Sequence, residues 1–198
     1  AECGCDPLCA APTRFCAGCC TGRGGAPRGN GEVLGIVKAY CTRVGSGPCP
    51  TELFDQTGEQ LCSIGHEFGA VTGRRRRCGW LDLVALKYSI MINGVTQLIM
   101  MKSDVMNDFD TIKVATAYEI DGERTTRFPF ETEGDIKPVY RAFPGWKCDL
   151  RKVTRYEAFP EAFKRYVEFI EPATGVPENS IPVRPARVPT TGVSRRLR

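Results

Sequence analysis

Along the chain, apolar positions gather into short blocks separated by glycine, proline and polar residues. Residues 32–44 change character abruptly from what precedes them, and Ile36, Val37, Ala39, Tyr40 and Val44 predict a buried strand, with a short helix as the alternative. A turn-rich loop follows over 45–50. Residues 53–64 alternate as a short amphipathic helix ending at Gly65. Residues 80–92 are apolar on nearly every face, which predicts a deeply buried helix stopped by Asn93 and Gly94. The run 96–101 has strand length. Residues 112–120 alternate up to Asp121 and Gly122, a hairpin signal whose return strand covers 123–128. Residues 129–150 form a long stretch punctuated by proline and glycine. Pro160 suits the first position of a helix carrying Phe163, Tyr166, Val167 and Ile170 at i, i+3, i+4 and i+7. Beyond Gly175 the chain reads as structureless. Strands and helices interleave, so the expected class is α/β, with layers.

Three regions result. Residues 1–31 are rich in Cys, Gly, Ala, Pro and Arg and nearly free of aliphatic side chains, too few to fold alone. Residues 32–178 form the body. Residues 179–198 are a basic, Pro/Arg-rich tail expected to be disordered. That tail holds five arginines and no acid, so the net charge of +4 leaves the first 178 residues at about −1. A body so nearly neutral argues against a nucleic-acid surface. Six of the eleven cysteines lie in the first twenty residues. Cys16 and Cys19 have knuckle spacing, but no second well-spaced pair and no nearby histidine completes a set, so no metal site is read. No apolar run approaches a membrane span and the start of the chain lacks a signal pattern; a cytoplasmic protein is expected.

The chemistry concentrates at Arg74, Arg75, Arg76 and Arg77. Phe68 and Val71 precede this run, and Trp80, Leu81 and Leu83 follow it. Guanidinium groups between buried flanks need anionic partners. One or two should brace a nearby carboxylate such as Glu67 or Asp82, and the others should meet a ligand's phosphates or carboxylates. Gly69 and Gly73 suit a tight loop around such a ligand, and Thr72 adds a hydroxyl. Lys102, Ser103 and Asp104 follow a buried strand, where ligands gather in open α/β sheets. A carboxylate there can accept from the N1–H and exocyclic amine of guanine, while the lysine stem packs along the ring. The loop after Thr42 and Arg43, with Val44, Gly45, Ser46 and Gly47, reads first as a plain turn. His66, the only histidine, reads as a structural hydrogen-bonder.

The stretches Gly31 to Pro48, Gly65 to Leu83, Ile92 to Thr96, Lys102 to Asp104, Lys113 to Gly122, Pro144 to Lys147 and Tyr166 to Val176 together resemble the C-terminal half of adenylosuccinate synthetases over roughly residues 17–178. The resemblance implies the C-terminal portion of that family's fold, a mixed central sheet with flanking helices, incomplete here. It implies a magnesium-dependent homodimeric ligase of purine biosynthesis that joins aspartate to inosine monophosphate (IMP) at the expense of GTP. It assigns Ala70, Val71, Thr72, Gly73, Arg74, Arg75 and Arg76 to the loop that closes on aspartate, with Arg74 also reaching the IMP ribose and Arg76 approaching GTP. Val44 and Gly45 lie beside the IMP ribose, and Lys102, Ser103 and Asp104 hold the guanine base. The family's catalytic aspartate and histidine, its phosphate loop and its magnesium ligands match nothing in this sequence, and both Cys/Pro/Arg-rich ends depart from the family pattern. The isolated chain is therefore expected to be inactive, with a non-catalytic guanine-nucleotide and aspartate-binding module as the alternative reading.

Overall fold

A computed structural model describes residues 31–129, 135–153, 155–181 and 193–194. The expectations for residues 1–30, including the cysteine cluster, and for most of the tail lie outside the described residues. Among those described, the strands form two sheets. In the first, β1 (Leu34–Lys38) pairs in parallel with β4 (Gln97–Met101), which pairs in parallel with β8 (Glu178–Ile181), and β8 meets the short β9 (Val193–Ser194) antiparallel. In the second, β2 (Tyr40–Arg43) runs antiparallel to β3 (Arg77–Asp82), and β3 runs parallel to β5 (Thr111–Ile120). β5 also carries β6 (Glu123–Thr125) and β7 (Ile136–Pro144), both antiparallel. Among the described residues, three α-helices cover the sheets: α1 (Gln56–Ile64), α2 (Leu83–Asn93) and α3 (Glu161–Thr174).

The strand expected over 32–44 is two strands in different sheets, broken at Ala39. The Ala39 N–H donates to the Met101 carbonyl (2.9 Å) and its carbonyl accepts from the Tyr166 hydroxyl (2.8 Å). Its backbone is thus satisfied by β4 and α3 while the chain changes sheet. The burial expected of this segment holds at Tyr40 but not at Ile36, which is 70% exposed.

The helix expected over 80–92 is also corrected. Trp80, Leu81 and Asp82 belong to β3, and the helix begins at Leu83 because the Asp82 side chain accepts from the Val84 and Ala85 N–H groups, both at 3.1 Å. That is an N-cap, which fixes where strand becomes helix. Gly94 ends the helix in the left-handed region, as the Asn93 and Gly94 signal predicts. Only Leu83, Val84 and Ile90 of α2 are buried, and Met91 is exposed, so the helix is less deeply buried than its composition suggests.

Residues 129–150 contain a strand that their prolines conceal. Among the described residues β7 pairs with β5 alone, along its whole length, as an outer strand, where Pro138 need not supply a ladder donor. Glu178–Ile181 likewise forms a strand inside a segment expected to lack structure. In contrast, α1 ends at Gly65, the hairpin turns at Asp121 and Gly122, and α3 buries Phe163, Tyr166, Val167 and Ile170 as their spacing predicts. Pro160 is the cap of α3 rather than its first residue. The main core joins these α3 residues to Leu61, Leu81, Met100, Met106 and Ile112, with Trp146 edge-on to Phe163 at 5.0 Å. Among the described residues, no helix is long and apolar enough to cross a membrane.

Candidate functional site

The arginine loop is a short hairpin standing on the end of α1. His66 turns the chain in the left-handed region (φ 49°), Phe68 bridges Arg75, and the Gly69 N–H donates to the Arg74 carbonyl (2.8 Å). The Gly73 N–H then returns to the Gly69 carbonyl (2.9 Å), and Gly73 itself has φ 64°, a conformation that a side chain would strain. Ala70, Val71, Thr72 and Gly73 form the exposed tip.

Beneath the loop lies a buried carboxylate. Glu67 is fully buried, and its Oε1 accepts from Lys38 Nζ (2.8 Å), Lys102 Nζ (2.7 Å) and the Tyr40 hydroxyl (2.7 Å). Its Oε2 accepts from Arg76 Nη1 and Lys38 Nζ, both at 3.0 Å. Gly65 makes room for this assembly, since a Cβ there would stand 2.3 Å from the Tyr40 hydroxyl. Burial alone would push the Glu67 carboxyl up, but hydrogen bonds from Lys102, Lys38 and Tyr40 outweigh it and hold the group at about 2. The stability Glu67 contributes is therefore present above its ordinary value of 4.5 and lost as pH falls from there towards about 2. Urea midpoints taken between about pH 5 and about pH 3 should fall more steeply in the wild type than in Glu67→Gln. Parallel slopes would remove Glu67 from the acid transition. Asp82 has the opposite sign: burial raises its carboxyl against hydrogen bonds from Tyr118, Ala85 and Val84, so its contribution fades as pH rises through the folded value.

The four arginines do different things. Arg77 donates to Glu52 (Nε to Oε2, 2.7 Å) and to the Gly45 and Gly47 carbonyls (3.0 and 2.6 Å), which ties the loop containing Val44 and Gly45 to β3. Arg76 pairs with Glu67, as expected of one or two of the run; Asp82 pairs with no arginine among the described residues and caps α2 instead. Arg75 is exposed, 4.0 Å from Glu59. Arg74 is exposed and makes no ion pair among the described residues. Val44 is 76% exposed, and Gly45 turns with φ 94°.

At the end of β4, Lys102 adopts φ 59°, which is uncommon for a residue with a side chain and bends it back over the loop. Its Nζ donates to the Gly65 carbonyl and to Glu67, both at 2.7 Å, leaving the carbon stem as a fixed ledge. Ser103 is buried, and its hydroxyl has no hydrogen-bond partner among the described residues. The half-buried Asp104 carboxyl is pushed up by burial, partly offset by its own backbone N–H and by the Arg151 and Lys102 charges. It makes no ion pair among the described residues. A partly desolvated carboxylate beside an apolar stem can accept paired N–H donors from a flat heterocycle.

The family model described as adenylosuccinate synthetase matches residues 2–191. The chain belongs to the adenylosuccinate synthetase family. The matched span reaches further at both ends than the 17–178 likeness carried by the motifs. Adenylosuccinate synthetases of Parabacteroides distasonis and Bacteroides thetaiotaomicron are 57% and 56% identical over 184 residues, which is 93% of this chain and 44% of each relative. A solved structure titled fully ligated adenylosuccinate synthetase from Plasmodium falciparum superposes with a TM-score of 0.86 at 34% identity, covering 92% of this chain and 44% of that one. The chain thus spans less than half the length of these synthetases, and its mixed α/β architecture is a partial version of their fold.

Within this part of the synthetase fold, the structure brings Arg76 and Lys102 together on Glu67. The tip residues and Arg74 stand out to solvent, and Val44 and Gly45 sit behind Arg77. Tyr40 is marked in the sequence only as part of a buried strand, and Lys38 only by its place within that apolar block; neither carries a signal of the Glu67 site.

Proposed function

We propose that this chain carries the guanine-recognition corner and the aspartate-side loop of a GTP-dependent synthetase that joins IMP to aspartate in purine biosynthesis. The observation that supports this most directly is the shared carboxylate of Glu67. It sets the base of the arginine loop beside Lys102, which supports reading the loop and the Lys102–Asp104 corner as one ligand-binding region.

In this reading Asp104 accepts from the guanine N1–H and exocyclic amine, and the stem of Lys102 packs on the ring while Ser103 lines the floor. Arg74 reaches the aspartate carboxylates and the IMP ribose, Arg75 and the tip from Ala70 to Gly73 enclose them, and Arg76 lies between aspartate and GTP. Val44 and Gly45 flank the IMP ribose. The reaction transfers a phosphoryl group from GTP to the purine 6-oxygen, and the aspartate amine then displaces it as phosphate. Guanidinium groups steady the negative charge gathering on the aspartate and the departing phosphate. Magnesium would be held by residues in the portion of the enzyme that this chain does not match and would offset the negative charge of the GTP phosphates, in a cytoplasmic homodimer.

Calorimetry on the 198-residue chain tests the base corner. GTP should bind, and Asp104→Ala should weaken it by at least about tenfold, as for a lost hydrogen bond to a charged group. Equal affinity in the variant, or no GTP heat at all, overturns the assignment. GTP- and aspartate-dependent loss of IMP in the same preparation separates a catalytic chain from a binding module.

A further inference from the structure

We propose that Glu67 is a positioning residue that couples the two parts of the site, so that a purine base settling on Lys102 and Asp104 is felt by the arginine loop. The inference rests on the reading of the corner as a guanine site. One carboxylate holds two elements at different oxygens: Lys102 on Oε1 and Arg76 on Oε2, with Lys38 spanning both. Three cations share a single negative group, so tightening or loosening one changes what remains for the others.

The surroundings restrict where that change can go. The Glu67 main chain is fixed from both sides, its N–H donating to the Cys62 carbonyl (2.8 Å) and its carbonyl accepting from the Arg76 N–H (2.9 Å). Tyr40 is buried and anchors Oε1 from β2. Arg76 is the loosest member: it holds Glu67 through Nη1 alone, and its buried Nε has no hydrogen-bond partner among the described residues. A ligand that draws on the Lys102 ammonium therefore shifts the carboxylate's remaining attraction to Lys38 and Arg76, and Arg76 is the one that belongs to the loop.

Amide hydrogen exchange on the full chain tests this, with residues 161–174 of α3 as the control for folding. In the wild type, GTP should slow exchange over residues 68–76 by about fivefold or more, the low end of ordinary site-to-site coupling. In Glu67→Gln, calorimetry should still detect GTP, while the slowing drops below about twofold. Wild-type slowing in Glu67→Gln, or GTP binding to the wild type with no change in the loop, overturns the coupling and leaves the guanine assignment standing. If GTP does not bind the wild type, the assignment itself fails. The ligand-free comparison then decides the coupling, as it does if Glu67→Gln does not fold. Lys102→Met should speed exchange over 68–76 with α3 unchanged, and unchanged loop exchange overturns the proposal.

Discussion

Glu67→Ala is expected to lower the free energy of unfolding by about 3 kcal/mol, towards the low end for breaking a buried ion network. The substitution leaves Lys38, Arg76 and Lys102 facing one another, and strands the buried Tyr40 hydroxyl, which hydrogen-bonds to Glu67. The three cations keep 27%, 33% and 35% of their side-chain surface exposed, so water recovers part of the loss, and the figure stays below the extreme for fully enclosed charges. Glu67→Gln retains an acceptor for Tyr40 and should cost about half as much. Urea denaturation followed by tryptophan fluorescence reports both, since Trp80 and Trp146 are buried in the core. An unfolding midpoint for Glu67→Ala equal to that of the wild type would mean the network contributes nothing net.

Asp82→Ala should come close behind, at about 2–3 kcal/mol. Loss of the helix cap contributes about 1 kcal/mol. The Tyr118 hydroxyl, which donates to Oδ2 and is fully buried, loses its acceptor, adding about 1–2 kcal/mol. Against this, the carboxylate is held where ionisation is disfavoured, which moderates the total. Asp82→Asn keeps an oxygen for both roles and should fall within about 1 kcal/mol of the wild type. If Asp82→Asn were as damaging as Asp82→Ala in the same urea titration, the charge rather than the cap would be responsible.

Asp82 also shows why part of the fold was hidden in the sequence. Trp80, Leu81 and Leu83 form an apolar block that suits a buried helix or a buried strand equally, because periodicity cannot separate the two over so short a run. A side chain accepting from the backbone two and three residues ahead decides the matter. Where a local signal suffices, the reading was sound: the spacing of Phe163, Tyr166, Val167 and Ile170, the stop at Gly94, and the turn at Asp121 and Gly122. β7 escaped notice because Pro138 is harmless only on an outer strand, which is a property of the assembled sheet. The Glu67 cluster was legible only in its single arginine partner, for Lys38 and Lys102 arrive from 29 and 35 residues away. The burial expected of Ile36, Val44 and Met91 is not met; apolar surface stays uncovered there among the described residues of a chain spanning 44% of its relatives.

The arginine run itself has a consequence that its letters hide. Arg75 and Arg77 turn to Glu59 and Glu52, while Arg76 between them turns to Glu67. Extended backbone sends successive side chains to opposite sides, so the last three of four identical letters are dealt alternately to two faces of a ribbon. Inserting or deleting one residue there would exchange the faces and hand each guanidinium its neighbour's job. Trading a single arginine for lysine would disturb only one.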